Sequence, residues 1–208
     1  FAELKAHIHN CLQPLYPKSE INSFYFILLE HYGNYTTADV LANVDTLLTD
    51  NIKQSIQQAI TELQTAKPIQ YILGETEFFS NRFFVDENVL IPRPETEELV
   101  DWVLQTYPDK NYPLHILDVG TGSGCIAISL AKALPEAQVT AIDVSPKAIA
   151  VAQRNADRNG VKIQFLQCDI LQTETLPQKY DVIISNPPYV RELEKTCTYN
   201  GRKRIFGQ

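Results

Sequence analysis

The sequence predicts an α/β protein in which a helical region comes first and an alternating strand–helix region follows. Short apolar runs that suit strands, such as residues 115–119 and 180–185, alternate with longer helical patterns. A glycine-rich turn, Gly120-Thr121-Gly122-Ser123-Gly124, joins the first of these strands to an apolar helix that begins at Cys125. The first 70 residues carry apolar side chains at helical spacing instead. Together these patterns favour an open α/β sheet with a helical leader.

The alternating region is predicted element by element from its apolar runs. Strands are expected over residues 115–119, 138–142, 162–167 and 180–185, and helices over 125–134 and 146–159. Ser145 is expected to start the second helix and Gly160 to end it. The charged residues of that helix are expected to face solvent, and Cys125 to be a core residue.

The helical leader shows its clearest periodicity over residues 49–66. Ile52, Ile56, Ile60 and Leu63 form one apolar stripe there. A second pattern, around Phe24, and a short helix from Thr37 complete a small predicted bundle. Its aromatic residues are interpreted as core.

A hairpin and a proline-containing connector join the two regions. Residues 77–79 and 83–85 are predicted strands around a turn at 80–82. Pro92-Arg93-Pro94 then predicts a stiff connector that leads into a helix over 96–105. Two interpretations of this connector are equally open: a rigid linker, or a wall of the active-site mouth at which Arg93 or Glu95 meets substrate or cofactor.

The glycine-rich turn predicts a nucleoside-containing ligand. Glycines between strand and helix let a ligand approach the backbone closely. Asp143 follows the next strand at the spacing of a carboxylate that binds ribose hydroxyls. NAD is one candidate, but Asp118 beside the turn would repel a pyrophosphate. A carboxylate there suits a cation such as the ammonium and sulfonium of S-adenosylmethionine.

A proline turn after the last predicted strand suits the binding of a planar NH2 group. Asn186-Pro187-Pro188-Tyr189 directly follows residues 180–185, whose apolar run predicts a buried strand. Two prolines fix two φ angles and remove two N–H donors, so the carbonyls of the turn remain rigid acceptors. Asn186 adds an acceptor and two donors, and Tyr189 adds an aromatic wall. A simple proline turn that only ends a strand is the alternative.

Taken together with the segments that precede them, these motifs resemble those of one known family. Residues 68–74, Phe78-Phe79 and residues 90–100 stand in order before the glycine-rich turn. With residues 116–124, this combination resembles the HemK/PrmC family of peptide-chain release factor glutamine methyltransferases. The match spans about residues 1–195 and is most specific at residues 92–97.

The resemblance implies a domain plan and a reaction. Residues 1–74 would form an N-terminal helical substrate-recognition domain, 75–91 a β-hairpin linker, and 92–208 a Rossmann-like methyltransferase domain. The reaction implied is transfer of a methyl group from S-adenosylmethionine to the side-chain amide nitrogen of the glutamine in the Gly-Gly-Gln loop of release factors.

The resemblance also implies the site residues. Asn186 and the Pro187 carbonyl would bind the glutamine amide with Tyr189 against its plane, and Pro188 and Arg93 would complete the substrate site. Asp169 and Ile170 would contact the adenine. The full cofactor set expected is Asp118, Gly120, Thr121, Gly122, Ser123, Gly124, Asp143, Asp169, Ile170 and Asn186.

Composition limits the partners. A net charge of −7 and a pI near 5.1 argue against general nucleic-acid binding, which requires clustered Lys and Arg. The spacing of the four cysteines suits neither zinc nor a disulfide framework, and no metal site is expected. No membrane span or signal peptide is visible. A reducing, cytoplasmic location is therefore expected. The protein is also expected to be a monomer, although no sequence feature indicates its oligomeric state.

Two alternatives and one irregularity remain. A nucleic-acid amino methyltransferase would use a similar proline turn, together with base flipping and a basic face. A non-catalytic module that binds release factors is the other alternative, because only four strands are predicted before Ser185. Residues 199–205 resemble the final strand of the family, so we expect a family segment to be absent near Lys195-Thr196.

Overall fold

The computed structural model describes residues 1–42 and 46–187. The Pro188 and Tyr189 predictions, and the irregularity expected near Lys195-Thr196, lie outside these residues. The helices of the described part are α1 (Ala2–Leu12), α2 (Lys18–Gly33), α3 (Thr37–Ala42), α4 (Asp50–Leu63), α5 (Ile69–Leu73), α6 (Glu97–Thr106), α7 (Cys125–Ala133) and α8 (Pro146–Asn159). The strands are β1 (Glu75–Phe78), β2 (Asn81–Phe84), β3 (His115–Val119), β4 (Gln138–Asp143), β5 (Gln164–Gln167) and β6 (Val182–Ser185). No helix of this described part is long and apolar enough to cross a bilayer.

The helical region packs around its own core. Ile56, Ile60 and Leu63 of the predicted stripe are fully buried against α1 and α2. Phe24 and Tyr25 are buried in the same cluster, which confirms that these aromatic residues belong to the core. Because an isolated helix of this length is marginal in water, this shared apolar core is what stabilises the helices.

The hairpin forms, but its predicted register is wrong. Strands β1 and β2 pair antiparallel around a two-residue turn, Phe79-Ser80, rather than around residues 80–82. Both turn residues have positive φ, 48° and 56°, the backbone twist that suits the tightest hairpins. The usual sequence signal is Asn-Gly or Asp-Gly, so Phe-Ser gave no indication of the turn. Phe78 and Phe83 are buried and anchor the hairpin on the sheet domain.

Within the described residues, the sheet consists of four parallel strands in the order β5-β4-β3-β6. Their pairing confirms the predicted α/β fold, and β3 pairs with β4 on one side and β6 on the other. The last strand was predicted to be buried throughout, which is wrong for Ile183: its side chain is 60% exposed, whereas Ile184 is buried. In the described part, β6 is an edge strand.

The helices that cover the sheet follow the sequence signals closely. Ser145 caps α8 by accepting a hydrogen bond from the Ala148 amide, and Gly160 ends α8 at φ 69°. Cys125 is buried at the start of α7, and burial raises the pKa of its thiol to about 12. The burial of Cys125 confirms that it is a core residue.

The charged residues of α8 are exposed, as predicted, but two of them make a contact that the sequence analysis missed. The guanidinium groups of Arg154 and Arg158 lie over the Phe84 ring, 3.7 and 4.3 Å from its centroid. Arg158 also donates to Glu75 at 2.8 Å. Cation–π contacts of this kind join α8 to the hairpin and cannot be read from helical periodicity.

A single buried asparagine ties three parts of the chain together. Asn155 accepts from the Phe84 amide at 2.6 Å and donates to the Phe84 carbonyl at 2.9 Å. It also donates to the carbonyl of Ser123, in the glycine-rich turn, at 2.9 Å. Its side chain therefore completes the edge of β2 as another strand would, and holds the hairpin, α8 and the turn in one unit.

We expect Asn155→Ala to lower the free energy of unfolding by about 2 to 4 kcal/mol, because it leaves buried backbone groups of Phe84 and Ser123 without partners. Urea denaturation measures this loss. The exposed Asn51→Ala is the matched control and is expected to stay within about 0.5 kcal/mol of wild type. Equal midpoints for the two variants would contradict the role assigned to Asn155.

Candidate functional site

The predicted motifs meet at the carboxyl edge of the sheet. The chain winds from β3 through β4 to β5 on one side, and β6 then pairs with β3 on its other side. Ligands of open α/β sheets bind where the strand order reverses in this way. Val119 lies opposite Ser185 in the register, and the Ser185 hydroxyl donates to the Val119 carbonyl at 2.8 Å. The glycine-rich turn and Asn186 therefore leave the sheet as neighbours.

The glycine-rich turn uses its amides within the protein. The Gly120 and Thr121 amides both donate to the Ile142 carbonyl, and the Gly122 amide donates to Asp143 Oδ2 at 2.9 Å. The Gly124 amide donates to the Thr121 carbonyl. A turn that binds phosphate needs such amides to point at its ligand. This one has committed most of them, which disfavours a dinucleotide.

Gly124 is required for both conformation and space. Its φ is 80°, and a Cβ built there would lie 3.0 Å from Ile128 Cδ1 and 3.1 Å from Ala152 Cβ. The residue thus lets α7 approach α8 closely. Gly160 has a similar φ of 69°, but a Cβ there would meet nothing within 4 Å.

Asp118 lies beneath the turn as a buried carboxyl group with 1% exposure. Its Oδ2 accepts from the Thr121 hydroxyl at 2.7 Å, and its Oδ1 has no hydrogen-bond partner within the described residues. Burial raises its pKa to about 6, while the Thr121 hydrogen bond acts in the opposite direction. A buried carboxylate with an unused acceptor is the environment that a nearby positive charge would stabilise.

Asp143 is held rigidly at the end of β4. Its Oδ2 accepts from the Gly122 amide and its Oδ1 from the Ser145 amide, each at 2.9 Å. Two backbone donors leave further lone pairs on the carboxylate for a ligand. The side chain is therefore both fixed and able to accept hydroxyl groups.

Asp169 and Ile170 follow β5 at the same edge. The Cys168 amide donates to the Asp143 carbonyl at 3.0 Å, which places this loop beside Asp143. Asp169 Oδ1 accepts from the Leu171 amide, so the side chain also shapes its own turn. Ile170 is 37% exposed and presents apolar surface.

Asn186 makes a long-range contact that sequence analysis missed. Its Nδ2 donates to the buried Thr96 Oγ1 at 2.8 Å, across 90 positions of the chain. Thr96 belongs to the segment singled out at residues 92–97, where only Arg93 and Glu95 had been considered. The structure brings neither Arg93 nor Glu95 to Asn186, and both residues are exposed. The pKa of Tyr71 is raised, chiefly by burial, and the positive charge of Arg93 partly offsets this rise.

The described residues hold no cluster of three or more His, Cys, Asp or Glu side chains with the arrangement of a metal site. The polar groups brought together instead are the carboxyl groups of Asp118, Asp143 and Asp169 and the amide of Asn186. They line one edge of a parallel sheet, next to a turn whose glycines leave the backbone accessible.

Comparison with known proteins agrees with this geometry. Residues 101–206 match the family model of the methyltransferase small domain, and residues 4–74 match the model of the PrmC N-terminal domain. The fold and the site therefore define a Rossmann-like methyltransferase.

Three relatives make the assignment narrower, each named release factor glutamine methyltransferase. The protein from Flavobacterium psychrophilum is 54% identical over 88% of this chain and 65% of its own length. The protein from Bacteroides thetaiotaomicron is 40% identical over 93% of this chain and 69% of its own length. The protein from Koribacter versatilis is 45% identical over 71% of this chain and 52% of its own length. This chain belongs to the release factor glutamine methyltransferase family. It spans about half to two thirds of the length of these relatives.

We expect Gly124→Ala to cost more stability than Gly160→Ala. Both variants strain a positive φ, at about 1 kcal/mol, but only the first also forces a methyl group against Ile128 and Ala152. The expected loss for Gly124→Ala is about 2 to 4 kcal/mol, with weakened cofactor binding. Urea denaturation and titration calorimetry with S-adenosylmethionine provide the two measurements. Equal losses of unfolding free energy in the two variants would show that the close approach of α7 and α8 at Gly124 does not contribute to stability.

A second prediction concerns the pH dependence of Asp118. Its raised pKa means that the folded state disfavours the charged form of the carboxyl group. The resulting loss of folding stability is therefore complete above pH 6 and becomes smaller as the pH falls toward 3.8. We therefore expect Asp118→Asn to raise Tm by a few degrees at neutral pH, with a smaller gain at about pH 5, while weakening cofactor binding. Asp101 is exposed, so Asp101→Asn is the control, and we expect its Tm to show no gain that grows with pH. If the gain in Tm of Asp118→Asn is the same at about pH 5 and about pH 8, the ionisation of this carboxyl group is not the cause of that gain.

Proposed function

We propose that this protein transfers a methyl group from S-adenosylmethionine to the side-chain amide nitrogen of the glutamine in the Gly-Gly-Gln loop of peptide-chain release factors. The single observation that carries the proposal is the pairing of β3 with β6. It puts the Asn186 amide beside a glycine-rich turn that suits a cationic nucleoside. Membership of the family supports the same reaction.

The residues at the edge of the sheet fit this cofactor. Asp118 Oδ1, which has no hydrogen-bond partner within the described residues, would be an acceptor for a positive charge and would act from beneath the turn. Asp143 would accept the ribose hydroxyls, and Asp169 and Ile170 would hold the adenine by hydrogen bonding and packing. The remaining contacts would come from the backbone at Gly120, Thr121, Gly122, Ser123 and Gly124 and from Asn186. When bound, S-adenosylmethionine supplies an activated methyl group on a sulfonium centre.

On the substrate side, the chain supplies orientation. The lone pair of an amide nitrogen is delocalised into its carbonyl, so the nitrogen must be held in line with the methyl donor. Asn186 and the Pro187 carbonyl would accept from the two N–H groups and favour the positive charge that develops on nitrogen. Tyr189 would lie along the plane of the amide, with Pro188 and Arg93 completing the substrate site.

The wider assignment follows from the same proposal. Residues 1–74 would be the substrate-recognition domain, 75–91 the hairpin linker and 92–208 the methyltransferase domain. The protein would act as a cytoplasmic monomer on a protein substrate. Its net charge of −7 supports a protein partner over nucleic acid.

We expect Asn186→Ala to abolish methyl transfer to release factor while cofactor affinity stays within a few-fold of wild type, because the side chain acts mainly on the acceptor amide. Transfer of label from S-adenosylmethionine and calorimetric titration with the same cofactor separate the two effects. Equal loss of turnover and cofactor binding would contradict this role. The exposed Asn51→Ala serves as the matched control.

The substrate itself is tested with four acceptors: release factor, a release factor whose loop glutamine is replaced, DNA and RNA. Transfer is expected to the first alone. Transfer only to nucleic acid would replace the proposal with a base methyltransferase. Cofactor-independent capture of release factor with no transfer would favour a binding module.

A further inference from the structure

We propose that Thr96 is a positioning residue that sets the orientation of the Asn186 amide toward the substrate. The inference rests on the proposed function, and it adds a residue that the sequence motifs left without a role. Its basis is one part-buried hydrogen bond, from Asn186 Nδ2 to Thr96 Oγ1 at 2.8 Å.

An asparagine needs such a partner if its amide is to be directional. The torsion that rotates the amide plane is broad and nearly two-fold, so the rotamer alone does not fix which way Oδ1 and Nδ2 point. A hydrogen bond from Nδ2 to a fixed oxygen orients the plane and leaves the second N–H and the carbonyl oxygen directed away from that oxygen. The Thr96 hydroxyl supplies this fixed oxygen.

The backbone around Thr96 keeps that oxygen in place. Thr96 ends a 3-10 turn, Pro94–Thr96, that leads directly into α6, and its amide donates to the Arg93 carbonyl at 3.0 Å. Pro94 restricts the turn further. Thr96 is only 6% exposed, so water competes little for its hydroxyl.

The next residue anchors the same segment to the hairpin. Glu97 Oε1 accepts from the Phe79 amide, in the hairpin turn, at 2.8 Å. Phe78, beside that turn, is buried in the core of the sheet domain. Thr96 and Glu97 therefore link the end of β6 and the hairpin turn from adjacent positions. The position of the Asn186 amide thus depends on a segment that precedes the whole sheet in sequence.

Three variants of the purified protein test the inference. Thr96→Val keeps the shape of the side chain and removes the hydroxyl; we expect kcat toward release factor to fall about 10- to 100-fold, with cofactor affinity unchanged. Thr96→Ser keeps the hydroxyl and is expected to retain kcat within about threefold of wild type. Thr106→Val makes the same chemical change at the far end of α6, where the hydroxyl donates to the Trp102 carbonyl, and is expected to match wild type.

The kinetic outcomes separate positioning from a merely structural role. A structural defect would lower cofactor affinity and Tm in Thr96→Val along with kcat, and Thr96→Ser would not restore turnover. Either result overturns the proposal, as does a Thr96→Val variant with wild-type kcat.

A measurement without turnover keeps the inference testable on its own. In protein labelled with ¹⁵N at asparagine, the Asn186 side-chain signal is identified by its loss in Asn186→Asp. We expect its NH2 protons to exchange with water about tenfold faster in Thr96→Val than in wild type or Thr96→Ser, because the hydrogen bond is lost. Equal exchange in all three proteins overturns the inference. If wild type does not methylate release factor but the exchange pattern holds, the proposed substrate fails while the positioning contact stands.

Discussion

The candidate site depends on the parallel pairing of β3 with a different strand on each side. Because β4 and β6 flank it, the carboxyl end of β3 is the place where the chain reverses its direction of winding. The turn that follows β3, Asp143 at the end of β4 and Asn186 after β6 meet there only through this strand order. No local preference of the three segments would bring them together, since they are separated by more of the chain than any turn spans. The backbone ladder is therefore the constraint on which every later contact rests.

Charge and shape at that edge act in the same direction. Asp118 is buried, and its Oδ1 has no hydrogen-bond partner in the part of the chain that the structure describes, while the turn above it has used most of its N–H donors within the protein. Such an edge attracts positive charge and offers little to a phosphate. The family assignment and the electrostatics thus agree, although one follows from sequence similarity and the other from hydrogen-bond geometry alone.

The parts that the sequence predicted correctly are those encoded locally. The alternating strands and helices, the Ser145 cap and the Gly160 stop each have a signal within a few residues, and each is found within two residues of where it was expected. The missed contacts depend instead on tertiary packing. Nothing near Thr96 indicates that its hydroxyl meets Asn186, and nothing near Asn155 indicates that it completes the edge of β2. The turn was predicted at residues 80–82 rather than at Phe79-Ser80 because Phe and Ser are unusual at positive φ and give no local signal for the tightest hairpin turn.

The internal hydrogen bonding of the glycine-rich turn has an energetic consequence for ligand exchange. A loop that folds around its ligand must lose conformational freedom at the moment of binding, and this cost is subtracted from the affinity. Here the Gly120, Thr121, Gly122 and Gly124 amides are already satisfied, and Asn155 holds Ser123 from below. The turn is therefore preorganised. Cofactor entry and product departure can take place without rebuilding the loop, so that differences in affinity between the two would reflect the ligands' own charge rather than an ordering penalty in the protein.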